Sequence, residues 1–301
     1  MLTFERFRAL LARYGADLEH PISSFSVGGV SFDFEHERYL CGVINLSEDS
    51  WYKESVCRTT EEAIARGTLL AAQGATMVDI GAESTLPNAP RISPMEQLER
   101  LLPVVESLCL RGVLVSVESY HPEVLEGCAK VGARVFNLTG AQAASEAFEL
   151  AARYDAAVIL CYVQGEHVRA VGDFQFFSDM VPELLAYFGR LTDQARSVGL
   201  TRCFIDPGLG FYYRNLEDGR TRVTHQLETF LNCFRLRTLG YPTFNILPHA
   251  PEAFGDLERR AAEPFFAVPA ILGGTNVIRT HEVDRVARVL AALRMYRTED
   301  A

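Results

Sequence analysis

Short apolar runs alternate with longer amphipathic segments along most of the chain. The runs YLCGVIN, TMVDIG, VLVSVE, RVFNL, AVILCYV, RCFID, TFNIL and NVIRT read as eight strands. They are nearly continuous in apolar residues, as parallel strands buried on both faces are. The segments between them carry helix signals. Thr59 to Glu62 and Ser93 to Glu96 have the spacing of capping boxes, with Pro94 at a first helical position where a missing N–H costs nothing. Leu98, Leu101, Leu102, Val105 and Leu108 then mark a 3.6-residue apolar face. Gly74, Gly112, Gly132 and Gly199 stand where such helices need a left-handed stop.

Eight strand–helix units predict an α/β fold, a single closed (β/α)8 barrel of the TIM type, over residues 39–301. The alternative, a doubly wound open sheet, normally has fewer units and a clear switch point. Residues 1–38 add an N-terminal amphipathic helix, MLTFERFRALLARYG, and an alternating stretch around Gly28 and Gly29. The latter predicts a β-hairpin that plugs one end of the barrel.

In a barrel of this kind the chemistry collects just after each strand, at the carboxyl-end mouth. Seven of the eight strand ends are polar: Asn45 with Ser47 and Asp49, Glu83-Ser84-Thr85, Glu118, Asn137, Gln164, Asp206, and Arg279 with His281. Each alone could be a helix cap or a loop staple. Together, acceptors at Glu118 and Asp206 flanking the Asn137 amide suit a flat nitrogen heterocycle whose edge offers several N–H donors. Arg279 and His281, two residues apart, are expected on one side, where with Asn45 and Thr85 they could hold a phosphate or its metal.

Composition narrows the classes. Of 301 residues 48% are hydrophobic, enough for one large core, and 29 Lys and Arg against 39 Asp and Glu leave a formal charge of -10. That balance gives no support to a nucleic-acid-binding surface. Seven cysteines without paired or Cys/His spacing read as buried thiols of a reducing compartment. No signal peptide or membrane-spanning run is evident, so a cytoplasmic protein without a membrane partner is expected.

Several segments between residues 40 and 295 resemble the dihydropteroate synthase family. CGVINLSEDSW is similar to its Gly-x-Leu-Asn-x-Thr-Pro-Asp-Ser-Phe signature, and VDIGAESTLP to its Asp-Ile-Gly-Gly-Glu-Ser-Thr-Arg-Pro motif. FIDPGLGF matches its Asp-Pro-Gly-x-Gly-Phe, and IRTHEV its Arg-Val-His-Asp-Val. The resemblance implies a pterin-binding barrel that joins 6-hydroxymethyl-7,8-dihydropterin diphosphate to p-aminobenzoate and releases pyrophosphate. It implies Asp206 and Asn137 on the pterin edge, Glu118 where the family has Asp, and Asp79 in the network behind them. It also implies Asn45 at the pyrophosphate and its Mg2+, with Arg279 and His281 in the anion pocket beside Ser84 and Thr85. A homodimer is a further expectation of the resemblance.

The chain also departs from the family pattern. Where the family's seventh strand ends in Ser-Arg-Lys-Ser, this chain runs from Phe244 to Pro251 without a Lys. Leu86 replaces the second-loop Arg, and Lys53 stands where the first loop has Asp, so that loop pair is lost. Ser47-Glu48 replaces Thr-Pro, and the family's His-Met after strand five reads Tyr162-Val163. Removing a cation near departing pyrophosphate harms turnover more than binding. Lys53, Arg91, His249 and Arg214 are candidates to restore the charge. The expectation is therefore pterin binding with weak or altered condensation. The alternatives are a non-catalytic pterin-binding or regulatory partner, and a methyltransferase using a methylated folate, which would need a cobalamin-bearing partner.

Overall fold

A computed structural model describes residues 3–47, 49, 53–86, 89–141, 143–165, 167–211, 213–216 and 218–296. Glu48, Trp51 and Pro87 of the signature loops therefore lie outside the described residues, as does the side chain of Lys53. Helix α1 (Phe4–Tyr14) and the hairpin β1 (Phe25–Val27) and β2 (Val30–Phe32) precede β3 (Tyr39–Asn45). There follow α2 (Thr60–Ala72), β4 (Met77–Gly81), α3 (Pro94–Leu110), β5 (Leu114–Glu118), α4 (Pro122–Lys130) and β6 (Val135–Leu138). Next come α5 (Ala144–Arg153), β7 (Ala157–Cys161), α6 (Val181–Ser197), β8 (Cys203–Asp206) and α7 (Gly219–Asn232). The last unit pair is β9 (Phe244–Ile246), α8 (Pro251–Glu258), α9 (Ala262–Leu272), β10 (Val277–Thr280) and α10 (Val283–Met295).

Strands β3 to β10 form one parallel sheet in the order β8-β7-β6-β5-β4-β3-β10-β9. Its two edges meet through a parallel bridge between Ile205 and Thr243, with the Ile205 N–H donating to the Pro242 carbonyl at 3.0 Å. An open sheet would leave β8 and β9 apart; here the barrel closes.

The side-chain period of two sorts each strand. Val78, Ile80, Val115, Val117, Phe136, Val158, Ile205 and Ile278 face outward and pack under the helices in the main core. Cys41, Met77, Leu114, Val135, Ala157, Phe204, Phe244 and Val277 face inward at the amino end, in one cluster with Val27, Phe32 and Phe34. The hairpin thus plugs that end. Phe25 meets Phe204 edge-on at 5.2 Å, and Phe32 stacks on Phe34 at 5.4 Å. The Asn276 amide donates to the Phe34 carbonyl at 2.9 Å. The hairpin turn needs glycine at Gly28, where φ is 56° and a Cβ would lie 2.6 Å from Leu114 Cδ1.

The helix starts differ in detail from the sequence expectation. Ser93 forms a complete capping box with Glu96. Thr59 accepts from the Glu62 N–H, but the Glu62 carboxylate turns to the Arg58 N–H at 2.8 Å rather than to Thr59. All four predicted stop glycines have positive φ.

Candidate functional site

Two residues further up β4, β5, β6, β8 and β10 the inward positions become polar, and they meet across the barrel mouth. Asp79, fully buried on β4, accepts from the Ser116 hydroxyl at 2.6 Å, the Asn137 amide at 3.0 Å and Arg279 Nε at 2.8 Å. Arg279 Nη2 also donates to Glu118 at 3.0 Å. The Cys161 thiol donates to the Asn137 amide oxygen at 3.3 Å, and one Asp206 oxygen accepts from the Gly208 N–H at 2.8 Å. Register makes this meeting possible: Gly81 pairs with Glu118, Glu118 with Asn137, and Cys161 with Asp206.

Three carboxylates therefore surround one guanidinium. Burial pushes Glu118 up to about 7; Arg279 opposes the rise, and Asp79 and Asp206 add to it. Burial likewise raises Asp206 to about 7, against the Gly208 N–H and Arg279, which favour its charged form. Burial disfavours the Arg279 cation, but Asp79 and Glu118 outweigh it and hold the guanidinium charged. The mouth is consequently short of positive charge. A planar ring presenting N–H donors would supply what Glu118 and Asp206 lack.

The loops above this layer hold the remaining predicted residues. Asn45 donates to Ser55 Oγ at 2.6 Å. The Ser84 hydroxyl donates to the Asp49 carbonyl at 3.5 Å and accepts from the Leu86 N–H at 3.2 Å, tying the first two loops together. Ser84 and Thr85 line a narrow cleft with Glu118, Tyr120 and Arg169. The donors at Asn45, Ser47, Asp49 and Ser84 are hard oxygens and suit Mg2+, which prefers few protein ligands plus phosphate oxygens and water.

Arg279 and His281 engage different partners. Arg279 reaches into the barrel, whereas His281 Nδ1 lies 2.7 Å from Glu263 Oε1 on α9. His249, from the loop after β9, brings Nε2 to 3.3 Å from the same oxygen. Burial would raise Glu263, but His281 and His249 hold it well below the usual carboxylate range. Burial lowers His281, against the pull of Glu263.

The other candidates for the missing charge sit elsewhere. Arg214 is exposed and forms a two-pronged pair with Asp173 at 2.8 Å, and Arg91 is exposed. Ala250, with φ of 39°, lies next to His249 in the segment that lacks Lys. Gln164 is a loop staple: its side chain donates to Tyr162 and to the Gln175 carbonyl, both at 2.9 Å.

Two features escaped the sequence reading. One is Glu263, a lone charge in an apolar helical run. The other is buried Arg169, from the loop after β7, which donates to the Ser84 carbonyl at 2.8 Å and to the Ala89 carbonyl. It also lies 3.3 Å from Glu83, whose other oxygen accepts from Tyr120 at 2.6 Å. Tyr120 in turn stacks on His167 at 5.0 Å. The second loop is thus clamped by an arginine supplied from the fifth strand's loop.

Residues 41–281, the span that carries this mouth, match the family described as pterin binding enzyme. The chain belongs to that family. It is 29% identical over 265 residues to the dihydropteroate synthase of Escherichia coli K12, covering 87% of this chain and 92% of that protein. It is 26% identical over 275 residues to that of Synechocystis, covering 87% and 91%. Among solved structures, a Xanthomonas albilineans dihydropteroate synthase with 4-aminobenzoic acid superposes with a TM-score of 0.75. Its identity is 26%, over 90% of this chain and 97% of the other. A Thermus thermophilus dihydropteroate synthase in complex with 6HMPPP gives 0.72 at 25% identity, over 91% and 100%. Within the pterin-binding enzymes, the chain is thus a member of the dihydropteroate synthase family. No helix among the described residues is long and apolar enough to cross a membrane.

Proposed function

We propose that this chain binds 6-hydroxymethyl-7,8-dihydropterin diphosphate in the barrel mouth and transfers its methylene to an arylamine such as p-aminobenzoate, slowly compared with relatives that keep a seventh-strand Lys. The observation that carries the binding half is the set of buried Asp79, Asn137 and Asp206 with the partly buried Glu118 around Arg279. Glu118, Asn137 and Asp206 take the ring edge. Arg279 fixes the acids from the side and, with Asn45, Ser84, Thr85 and His281, borders the diphosphate. Mg2+ held by Asn45 and the diphosphate oxygens would supply charge for the leaving pyrophosphate. The chain itself orients the ring and keeps water from its buried edge.

The reduced rate rests on the β9–α8 segment, where Pro248, His249 and Ala250 replace a flexible cation. A second reading, binding without turnover, is favoured by the same segment. Calorimetry with the dihydropterin diphosphate and Mg2+, followed by a pyrophosphate-release assay with p-aminobenzoate, separates these outcomes. Binding with slow release supports the proposal, and binding with none selects the second reading. Absence of binding overturns both.

A further inference from the structure

We propose that His249, Glu263 and His281 form a binding site for one divalent transition-metal ion of the zinc class. Three donor atoms, His249 Nε2, His281 Nδ1 and Glu263 Oε1, converge here. Their separations are 2.7 Å between His281 and Glu263, 3.3 Å between His249 and Glu263, and 3.4 Å between the two imidazoles. A tetrahedral ion with ligands at about 2.0–2.1 Å sets its donors about 3.3–3.4 Å apart. Two of the three edges already have that length. The third is a hydrogen-bond length, and a metal in place of the shared proton requires it to open by about 0.6 Å.

The surroundings are those of a ligand set. Glu263 is fully buried, and its second oxygen accepts from the His281 N–H at 2.9 Å, the Glu282 N–H at 3.3 Å and the Thr280 hydroxyl. This fixes the carboxylate and leaves Oε1 aimed at the two rings, as outer hydrogen bonds do for metal-binding carboxylates. A buried carboxylate in contact with both imidazoles attracts a cation. His249 retains 24% side-chain exposure, so an ion can enter from the mouth and keep a position for water. Arg260 is paired with Glu282 at 2.5 Å and 2.8 Å, which keeps that cation engaged elsewhere. Two histidines and one glutamate with an open side suit zinc or a similar borderline ion better than Mg2+.

The full chain, dialysed against a chelator, would be titrated with Zn2+ alone by calorimetry and with Co2+ by visible absorption. The expected result is one ion per chain and the coloured bands of cobalt with few, nitrogen-containing ligands. Glu263→Gln and His249→Asn should each weaken binding by about 100-fold or more. His249→Asn changes a partly exposed loop residue and should melt like the parent, so loss of metal there is not loss of fold. Anomalous scattering at the zinc edge would place the ion. Failure of the parent to bind stoichiometrically, or binding unchanged in His249→Asn, overturns the proposal. Pterin enters none of these readouts, so the outcome is independent of the proposed synthase reaction.

Discussion

The two ends of the barrel are made by the same strands, with the same inward faces, from opposite chemistry. At the amino end Met77, Leu114, Val135, Phe204 and Val277 meet the aromatic hairpin, and none is more than 4% exposed. Two residues further along, about 7 Å by strand geometry, the inward positions are Asp79, Ser116, Asn137 and Asp206, none more than 5% exposed, with the partly buried Arg279. Equal burial has opposite consequences. Removing apolar surface from water stabilises the fold, whereas removing carboxylates from water costs free energy unless each is paired. Asp79 is paired on both oxygens, but Glu118 and Asp206 carry part of that cost as raised proton affinity. The amino end holds the barrel together, and the carboxyl end stores unmet demand for N–H donors.

Breaking the apolar end should give the largest effect. Phe34 is fully buried and touches Phe25, Phe32, Tyr39 and Phe204. Phe34→Ala is expected to lower unfolding free energy by about 3–5 kcal/mol, measured by urea denaturation, while pterin affinity of the folded fraction stays unchanged. A large loss of affinity would show that the plug shapes the mouth. At the polar end, Asp206→Asn should do the reverse. Losing one charged acceptor should weaken dihydropterin binding by about 1.5–3 kcal/mol, read by calorimetry, with unfolding free energy at pH 8 equal to or above the parent's.

The pH dependence sharpens the contrast. A carboxylate raised to about 7 in the fold, against 3.8 unfolded, makes the native state bind the extra proton between those values. Its contribution is therefore most favourable below about pH 4 and declines as pH rises towards 7, by about 1.4 kcal/mol per unit. Partly buried His225, lowered to about 4, and His281, also lowered, act in the opposite direction. Absolute stability is for this reason a poor readout. The difference between Asp206→Asn and the parent isolates the acid: the variant's relative stability should grow from pH 5 to pH 7 and then level off. Ring binding, which uses the ionised acids, should strengthen over the same range.

How much of this was legible depended on whether the determining contact was local. All eight strands could be read because parallel strands need continuous apolar runs, and β3 spans the same residues, Tyr39–Asn45, as the run YLCGVIN. The polar strand ends could be read because period two carries any inward residue into the mouth. Their partners could not. Arg279 and Asp79 lie 200 positions apart, and only barrel closure brings them to 2.8 Å. The sequence therefore points Arg279 to an anion and gives no sign that it also holds two acids, Asp79 and Glu118. Glu263 carried a usable sign, a single charge within the apolar run AAEPFFAVPA, since a buried charge must have partners. Arg169 carried none, because loop conformation is set by what it packs on. The loss of Leu86's expected arginine gave no hint that the second loop is held from β7's side instead.

The smallest expected effect belongs to a residue at neither end. Ser93 starts α3 with its hydroxyl accepting from the Glu96 N–H at 3.2 Å, while the Glu96 carboxylate accepts from the Ser93 N–H at 2.7 Å. Ser93→Ala removes one half of the box and should cost about 1 kcal/mol. The helix it starts nevertheless reaches the mouth: Gln97, one turn on, accepts from the Ser119 hydroxyl at 3.2 Å, directly after Glu118. If stability and ring binding are as separable as the two ends suggest, Ser93→Ala should lower the urea midpoint slightly and leave dihydropterin affinity within about twofold. A larger fall in affinity would mean that α3 sets the position of Glu118, and that the mouth depends on the helical layer as well as on the strands.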